Sequence, residues 1–343
     1  MPDEESARRG VRTPGSISPW LPWLLGAALL AIVIGAALHL SDGREFVSLA
    51  EQAVPRWLIA SVLLQAATYF AQGEIWRRVG SAAGTPLRET DAFGLSLAKL
   101  FADQALPSAG ISGSLVVARA LRHRGMRDDA VNAAVLINVA SYHVAYVLTL
   151  TGALAILSTL HDANTVVLIA SLAFVLFAAA VVATVFALSG KSPGRLSRAL
   201  GRVGPLQSLV TFAQSADPQL AHSRRLLVHA TLWQIAIVLC DAATVWTLLL
   251  SLGVRASLTA VFASFMVASL VRTIGIVPGG LGTFEATSVL TLTMTGVTIP
   301  QALSATLLFR GLSFWIPMLP GLWLSRRIIG RRDDDGRVVV GGI

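Results

Sequence analysis

Apolar residues gather along this chain in long runs, separated by shorter stretches that hold most of the arginines. Runs at 20–40, 57–76, 130–157, 166–188, 226–252 and 301–324 are each about the length that crosses a bilayer core as a helix, roughly 20 residues. Two further apolar segments, 92–121 and 257–295, are interrupted. The first breaks at Leu106-Pro107-Ser108-Ala109-Gly110, and the second at VPGGLGTFEA, residues 277–286, where Pro278, Gly279, Gly280 and Gly282 cluster. An unpaired backbone N–H or C=O in hydrocarbon is so costly that such a break is tolerated only where it is buried in protein or lines a polar cavity. Helices stopped halfway in this manner belong to re-entrant hairpins or discontinuous spans. The fold class expected is an all-α polytopic membrane protein with two broken, re-entrant helical hairpins.

The order of the segments repeats. Residues 20–158 hold two crossings, a broken segment and a crossing, and residues 166–324 hold the same series. Three net crossings per half start the second half from the opposite face, so the repeat is inverted. Pro107 and Pro278 lie 171 positions apart and the runs that open at Trp57 and Leu226 lie 169 apart, so the register is nearly constant. Inverted repeats with paired broken helices are a recurrent plan of transporters, whose sites lie between the repeats near the midplane. The domain expected is a single membrane unit over 20–328. A cytoplasmic link at 190–225 joins the halves, either as an interfacial helix or as a solvated linker. Residues 1–19, rich in Ser, Pro, Gly and Arg, read as a disordered cytoplasmic tail, and 329–343 as a second cytoplasmic tail. The run 20–40 is too long for the core of a signal peptide and reads as an uncleaved first helix.

Composition agrees with this reading: 54% of the 343 residues are hydrophobic and 13% charged. The net charge of +8 does not indicate a nucleic-acid partner, because the basic residues sit at helix ends and no folded basic domain is visible. Twenty of the 27 Lys and Arg fall in the pieces this topology places inside; only Arg44, Arg56 and Arg255 fall outside. That asymmetry places both termini in the cytoplasm and the protein in the cytoplasmic (inner) membrane. Cys240 is alone, the six His are scattered, and no hydrolase triad, nucleotide loop or metal-ligand set is present, so neither a cofactor nor a metal is expected.

Charges inside the membrane cost about 2.5–3.5 kcal/mol each on insertion scales and tend to be paired or functional. Here they are Glu74, Lys99, Asp103, Arg119, Asp241, Arg272, Glu285 and Arg310. Lys99 and Asp103 are four apart and share a helix face, which permits either a local pair or a ligand role. Arg272 and Glu285 flank the Pro278 break and can both face a cavity there. The N–H groups of Gly279 to Thr283, with the helix start that follows, make an anion cradle, for which Arg272 and Arg310 supply positive charge. Glu285 opposes an anion in that cradle unless it pairs with Arg272, is protonated, or meets an amine on the substrate. Asp241 corresponds in the repeat to the neighbourhood of Gln72 and Glu74, while Gln65, Gln234, Asn132, Asn138 and His143 read as interhelical hydrogen-bonding groups.

VPGGLGTFEA with Arg272 before it resembles the second signature of the flippase-like membrane family that includes the transmembrane region of lysylphosphatidylglycerol synthase. LPSAGISGSLVVARAL, residues 106–121, resembles its first signature, and the likeness spans roughly residues 20–328. The resemblance implies two re-entrant segments, a cytoplasmic-membrane location and the handling or movement of lipid headgroups, with aminoacylated phosphatidylglycerol the cargo in the synthase branch. It places the site at Pro278, Gly279, Gly280, Gly282 and Glu285, with Pro107, Gly110 and Gly113 opposite. The synthases carry a soluble aminoacyl-transfer domain after the membrane region, whereas this chain ends about fifteen residues past its last apolar run, so synthesis of that lipid is not expected. Some relatives also carry an acid where this chain has Ser114, the repeat position of Glu285. The function expected is binding and translocation of a phospholipid or other lipid-linked headgroup at Arg272, Pro278, Gly279, Gly280, Gly282, Thr283, Glu285, Lys99, Asp103, Pro107, Gly110, Gly113, Asp241 and Arg310. The alternatives are a membrane transferase on a lipid-linked substrate and a non-transporting regulatory partner.

Overall fold

The computed structural model describes residues 53–105, 111–159, 165–188, 204–274 and 277–329, together with Ala31 and Glu51. The run at 20–40, the break containing Pro107 and Gly110, both tails and the first part of the link lie outside the described residues. Among the described residues all regular structure is helical. In chain order the helices are α1 (Pro55–Ala82), α2 (Glu89–Ala105), α3 (Ile111–His123), α4 (Asp128–Thr159), α5 (Thr165–Leu188), α6 (Gly204–Gln214), α7 (Pro218–Ala221), α8 (Arg224–Ser251), α9 (Leu258–Ile274), α10 (Thr283–Met294), α11 (Ile299–Arg310) and α12 (Ile316–Ile329). A 3₁₀ turn, Pro278–Gly280, separates α9 from α10, and a π-helical turn, Gly311–Trp315, joins α11 to α12.

Local chemistry sets many of these boundaries. Proline stands in the first turn of α1 and α11, where its missing N–H would have had no partner. Asp128 and Asp129 lie in the first turn of α4, favoured by the helix dipole, and Ser223 caps α8. Three stretches among the described residues are long and apolar enough to cross a membrane: Asp128–Ile156, Arg224–Ser251 and Ile299–Ser325, the last running through the π turn. With 28 residues, α1 has the length but carries Gln65, Gln72 and Glu74, which it turns inward or toward its cytoplasmic-type basic end.

The longest contact in the bundle is between α1 and α8. Polar pairs run down this seam: Ser61 to Thr247 at 2.8 Å, and Gln65 to both Asp241 and Thr244 at 2.9 and 3.0 Å. Residue numbers rise on one helix as they fall on the other, so the two are antiparallel. Further along, Asn138 of α4 accepts from Gln72 and Gln234 at 3.1 and 3.3 Å, tying a third helix to the seam. Apolar residues form one core among α4, α5, α8, α9, α10 and α11, and a second among α1, α2, α3 and α4. Outward faces are apolar as well, with Ile59 and Leu63 on α1, Leu172 and Leu176 on α5, and Leu319 and Trp323 on α12 exposed. A surface of that kind is at home in lipid.

The described part of the link is folded. In α6 and α7, Val210, Ala213, Ala216 and Ala221 pack on Ala133 and Leu136 of α4 and Leu188 of α5, while Asn132 donates to Ser215 at 2.8 Å. Of the two readings open at the sequence level, a solvated linker does not describe this segment.

Candidate functional site

The second break is built around three glycines with left-handed backbone, Gly279, Gly280 and Gly282, at φ +59°, +66° and +78°. Gly279 and Gly280 also have no room for a side chain. A Cβ at Gly279 would enter the Phe314 ring, and one at Gly280 would enter the stem of Arg272. The turn therefore presses directly on Arg272 and on the π turn. Glu285, in the first turn of α10, reaches back to accept from the Gly282 N–H at 2.6 Å. Its other oxygen accepts from Arg310 Nε at 2.7 Å, and Arg310 donates in addition to the Gly279 carbonyl at 2.9 Å. Both side chains are almost fully buried, and the guanidinium lies 4.4 Å from the Phe314 ring centroid and 5.6 Å from that of Phe284.

This geometry settles two questions of pairing. The partner of Glu285 is Arg310, not Arg272. The Gly282 N–H, one member of the anion cradle read from sequence, is occupied by the protein's own carboxylate, and the Gly280 N–H donates to Val277 O at 2.9 Å. Thr283 turns its hydroxyl onto Gly280 O at 3.0 Å. Pro278 opens the turn, which lies against α2.

Across the first break the same task falls to different residues. Asp103, near the end of α2, accepts from the Gly113 N–H in the first turn of α3 at 2.8 Å and from Lys99 Nζ at 2.8 Å. Ser112 closes the gap further by donating to Ala102 O at 2.7 Å. A side chain at Gly113 would fall on the Asp103 carboxylate. Each break is thus held by one carboxylate, one cation and one glycine N–H. Glu285 serves from the helix that follows its break, whereas Asp103 serves from the helix that precedes it.

With Glu285 and Arg310 consumed, Arg272 stands apart. It is partly exposed, has its guanidinium carbon 5.8 Å from the Phe284 ring centroid, and has no carboxylate within ion-pair distance among the described residues. Tyr142, Tyr146 and Asp241 are near enough to act on its charge. Asp241, on α8, is also partly exposed and takes one hydrogen bond from Gln65, with Tyr69 beside it. Tyr69 in turn donates to Leu312 O, a π-turn carbonyl, at 3.3 Å. Tyr142 and Tyr146 stack along α4 with centroids 5.1 Å apart. Arg272, Asp241, Gln65 and the three phenols form a polar chamber bounded by α1, α4, α8 and α9.

Sequence reasoning passed over the tyrosines. The chain has only three, Tyr69, Tyr142 and Tyr146, and all three are in this chamber. Interfacial anchors sit near segment ends, while these lie inside theirs, which is the signal that marks them. Lys99, Asp103 and Gly113 gather at the first break and Glu285, Arg310, Gly279 and Gly282 at the second, while Pro107 and Gly110 lie outside the described residues.

Comparison with known proteins places the whole of this architecture in context. The family described as "Lysylphosphatidylglycerol synthase TM region" matches residues 23–321, which includes both breaks and every chamber residue. A curated protein of Pyrococcus horikoshii, "UPF0104 membrane protein PH1989", is 33% identical over 103 residues. That match covers 30% of this chain and spans 31%, under a third, of the relative's own length.

Proposed function

Because this chain belongs to the lysylphosphatidylglycerol synthase TM-region family, we propose that it binds a phospholipid headgroup between its two broken segments and carries it across the cytoplasmic membrane. The observation that carries this reading is Arg272: a guanidinium in the span of an apolar helix pair, partly open, ringed by phenols and left without a counter-ion among the described residues. A buried cation without its own anion is a place for an anion from elsewhere, and guanidinium matches the geometry of phosphate.

The transport plan draws support from the seam. Gln65 and Gln234 are 169 positions apart, as are Gln72 and Asp241, the same register that relates the two halves. Gln65 meets Asp241 directly, and Gln234 meets Gln72 through Asn138, so each amide in one half reaches toward the counterpart of the other's partner. An inverted pair of repeats packed about α1 and α8 accounts for that exchange. Re-entrance draws support from length. α3 and α10, at 13 and 12 residues, are about 20 and 18 Å long at 1.5 Å per residue, short of a core about 30 Å thick. A cytoplasmic face is supported by the basic end of the bundle, where Arg77 pairs with Glu89, Arg124 with Asp91 and Arg127 with Asp217.

The test is lipid scrambling in proteoliposomes. Charge-assisted hydrogen bonds contribute about 1.5–3 kcal/mol, so Arg272→Gln is expected to slow headgroup movement roughly tenfold or more, with Arg272→Lys between. A folded Arg272→Gln protein that moves lipid at the wild-type rate overturns the proposal.

A further inference from the structure

Asp241 raises a question that the packing of the helices does not answer. Its counterpart 169 positions earlier is Gln72, a neutral amide, and there Gln72, Asn138 and Gln234 close a network that holds three helices together without any charge. The seam at that depth therefore has no structural need for a carboxylate, and a carboxylate in the membrane carries a desolvation cost an amide does not. Gln65 and Thr244 would bond an amide in that place as they bond the acid. Asp241 also uses only one oxygen. Oδ1 accepts from Gln65 at 2.9 Å, Oδ2 accepts from no donor among the described residues, and the side chain is partly exposed. Arg272 lies on the adjacent helix, close enough for its charge to be felt and beyond ion-pair distance. Two opposite charges are thus held open to the same chamber without neutralising each other. A ligand with one charge of each sign satisfies both; an anion alone leaves Asp241 facing it.

We infer that Asp241 determines specificity: it selects phospholipid headgroups that carry an ammonium beside the phosphate, the phosphate meeting Arg272 and the ammonium meeting Asp241 Oδ2. This inference rests on the reading of Arg272 as a headgroup site and adds the second pole of that site. Tyr69 and Tyr142, flanking the two charges, line the space between them.

The experiment measures binding, by the thermal shift of the purified full-length chain, to two short-chain lipids: dihexanoyl phosphatidylethanolamine and dihexanoyl phosphatidylglycerol. The wild type is expected to favour the ethanolamine lipid by tenfold or more. Asp241→Asn, and Asp241→Gln, which installs the counterpart residue and keeps the seam should Asn weaken it, are expected to bring the ratio to about one, while Asp241→Glu restores the preference. An unchanged ratio in both neutral variants overturns the assignment. Equal binding of the two lipids by the wild type also overturns it while leaving the headgroup site standing; binding of neither removes both. Glycerophosphoethanolamine, which has no acyl chains, is expected to compete weakly, and competition as strong as the lipid's would make the ligand a soluble phosphoester and overturn the lipid assignment.

Discussion

Removing the Glu285 carboxylate would strand the Arg310 guanidinium in a pocket almost closed to solvent, with only Gly279 O and two rings for company. Breaking a buried pair from one side costs on the order of 3–5 kcal/mol, whereas replacing both partners with apolar groups is far milder. Glu285→Gln is therefore expected to lower unfolding stability in detergent by about that amount, and Glu285→Gln with Arg310→Met to recover most of it. A single variant as stable as the wild type would show that the pair does not hold the turn. Glycines at the same scale divide by their surroundings. Gly280 and Gly296 both have left-handed backbone, but a Cβ at Gly280 meets the Arg272 stem and one at Gly296 meets nothing. Gly296→Ala is expected to cost only the backbone term, about 1–2 kcal/mol, and Gly280→Ala clearly more, with loss of lipid binding as Arg272 is displaced. The sequence displayed these residues better than their partners. Lys99 and Asp103 pair as their four-residue spacing allows, because one helix fixes both. Arg310 is 25 residues from Glu285 and reaches it only through the packing of α10 on α11, which no local spacing encodes.

At the scale of elements, hydropathy located the described helices to within a few residues, since a span in lipid must satisfy its own backbone and has little latitude in where it begins. The helices on each side of the Pro278 cluster were legible for the same reason. Close helix contacts were not. α12 lies against α2 so tightly that a Cβ at Gly321 would come within 2.6 Å of Leu97 O and 2.7 Å of Phe101 Cβ. Gly152 of α4, by contrast, is exposed and has nothing within 4 Å. Gly321→Leu is expected to push the two helices apart and yield aggregated material on size exclusion, and Gly152→Leu to run as the wild type does. Both glycines read alike in the chain, because the difference lies in a neighbour more than 200 positions away. α6 and α7 were ambiguous for another reason: an 11-residue and a 4-residue helix carry too little periodicity to be told from a linker.

For the molecule as a whole, arginine placement makes a statement about sides that labelling checks directly. In a Cys240→Ala background, an impermeant maleimide applied to intact cells is expected to modify Arg255→Cys, between α8 and α9, and to reach Ser81→Cys, at the end of α1, only after permeabilisation. The reverse pattern would invert the topology, and with it the face from which each broken segment opens. The π turn at Gly311–Trp315 carries a different consequence for the whole assembly. There Ile316 N–H returns to Gly311 O, one residue farther than in an α-helix. A π turn is in effect a helix with one residue too many, so deleting Leu312 would restore regular winding and rotate all that follows by about 100°. Gly321 would leave its place against Leu97, and Phe314 its place over Arg310. Side chains here tolerate exchange more readily than the chain tolerates a change in its count: Leu312→Ile should fold, and a one-codon deletion should not. In this stretch the gene preserves a length before it preserves a letter.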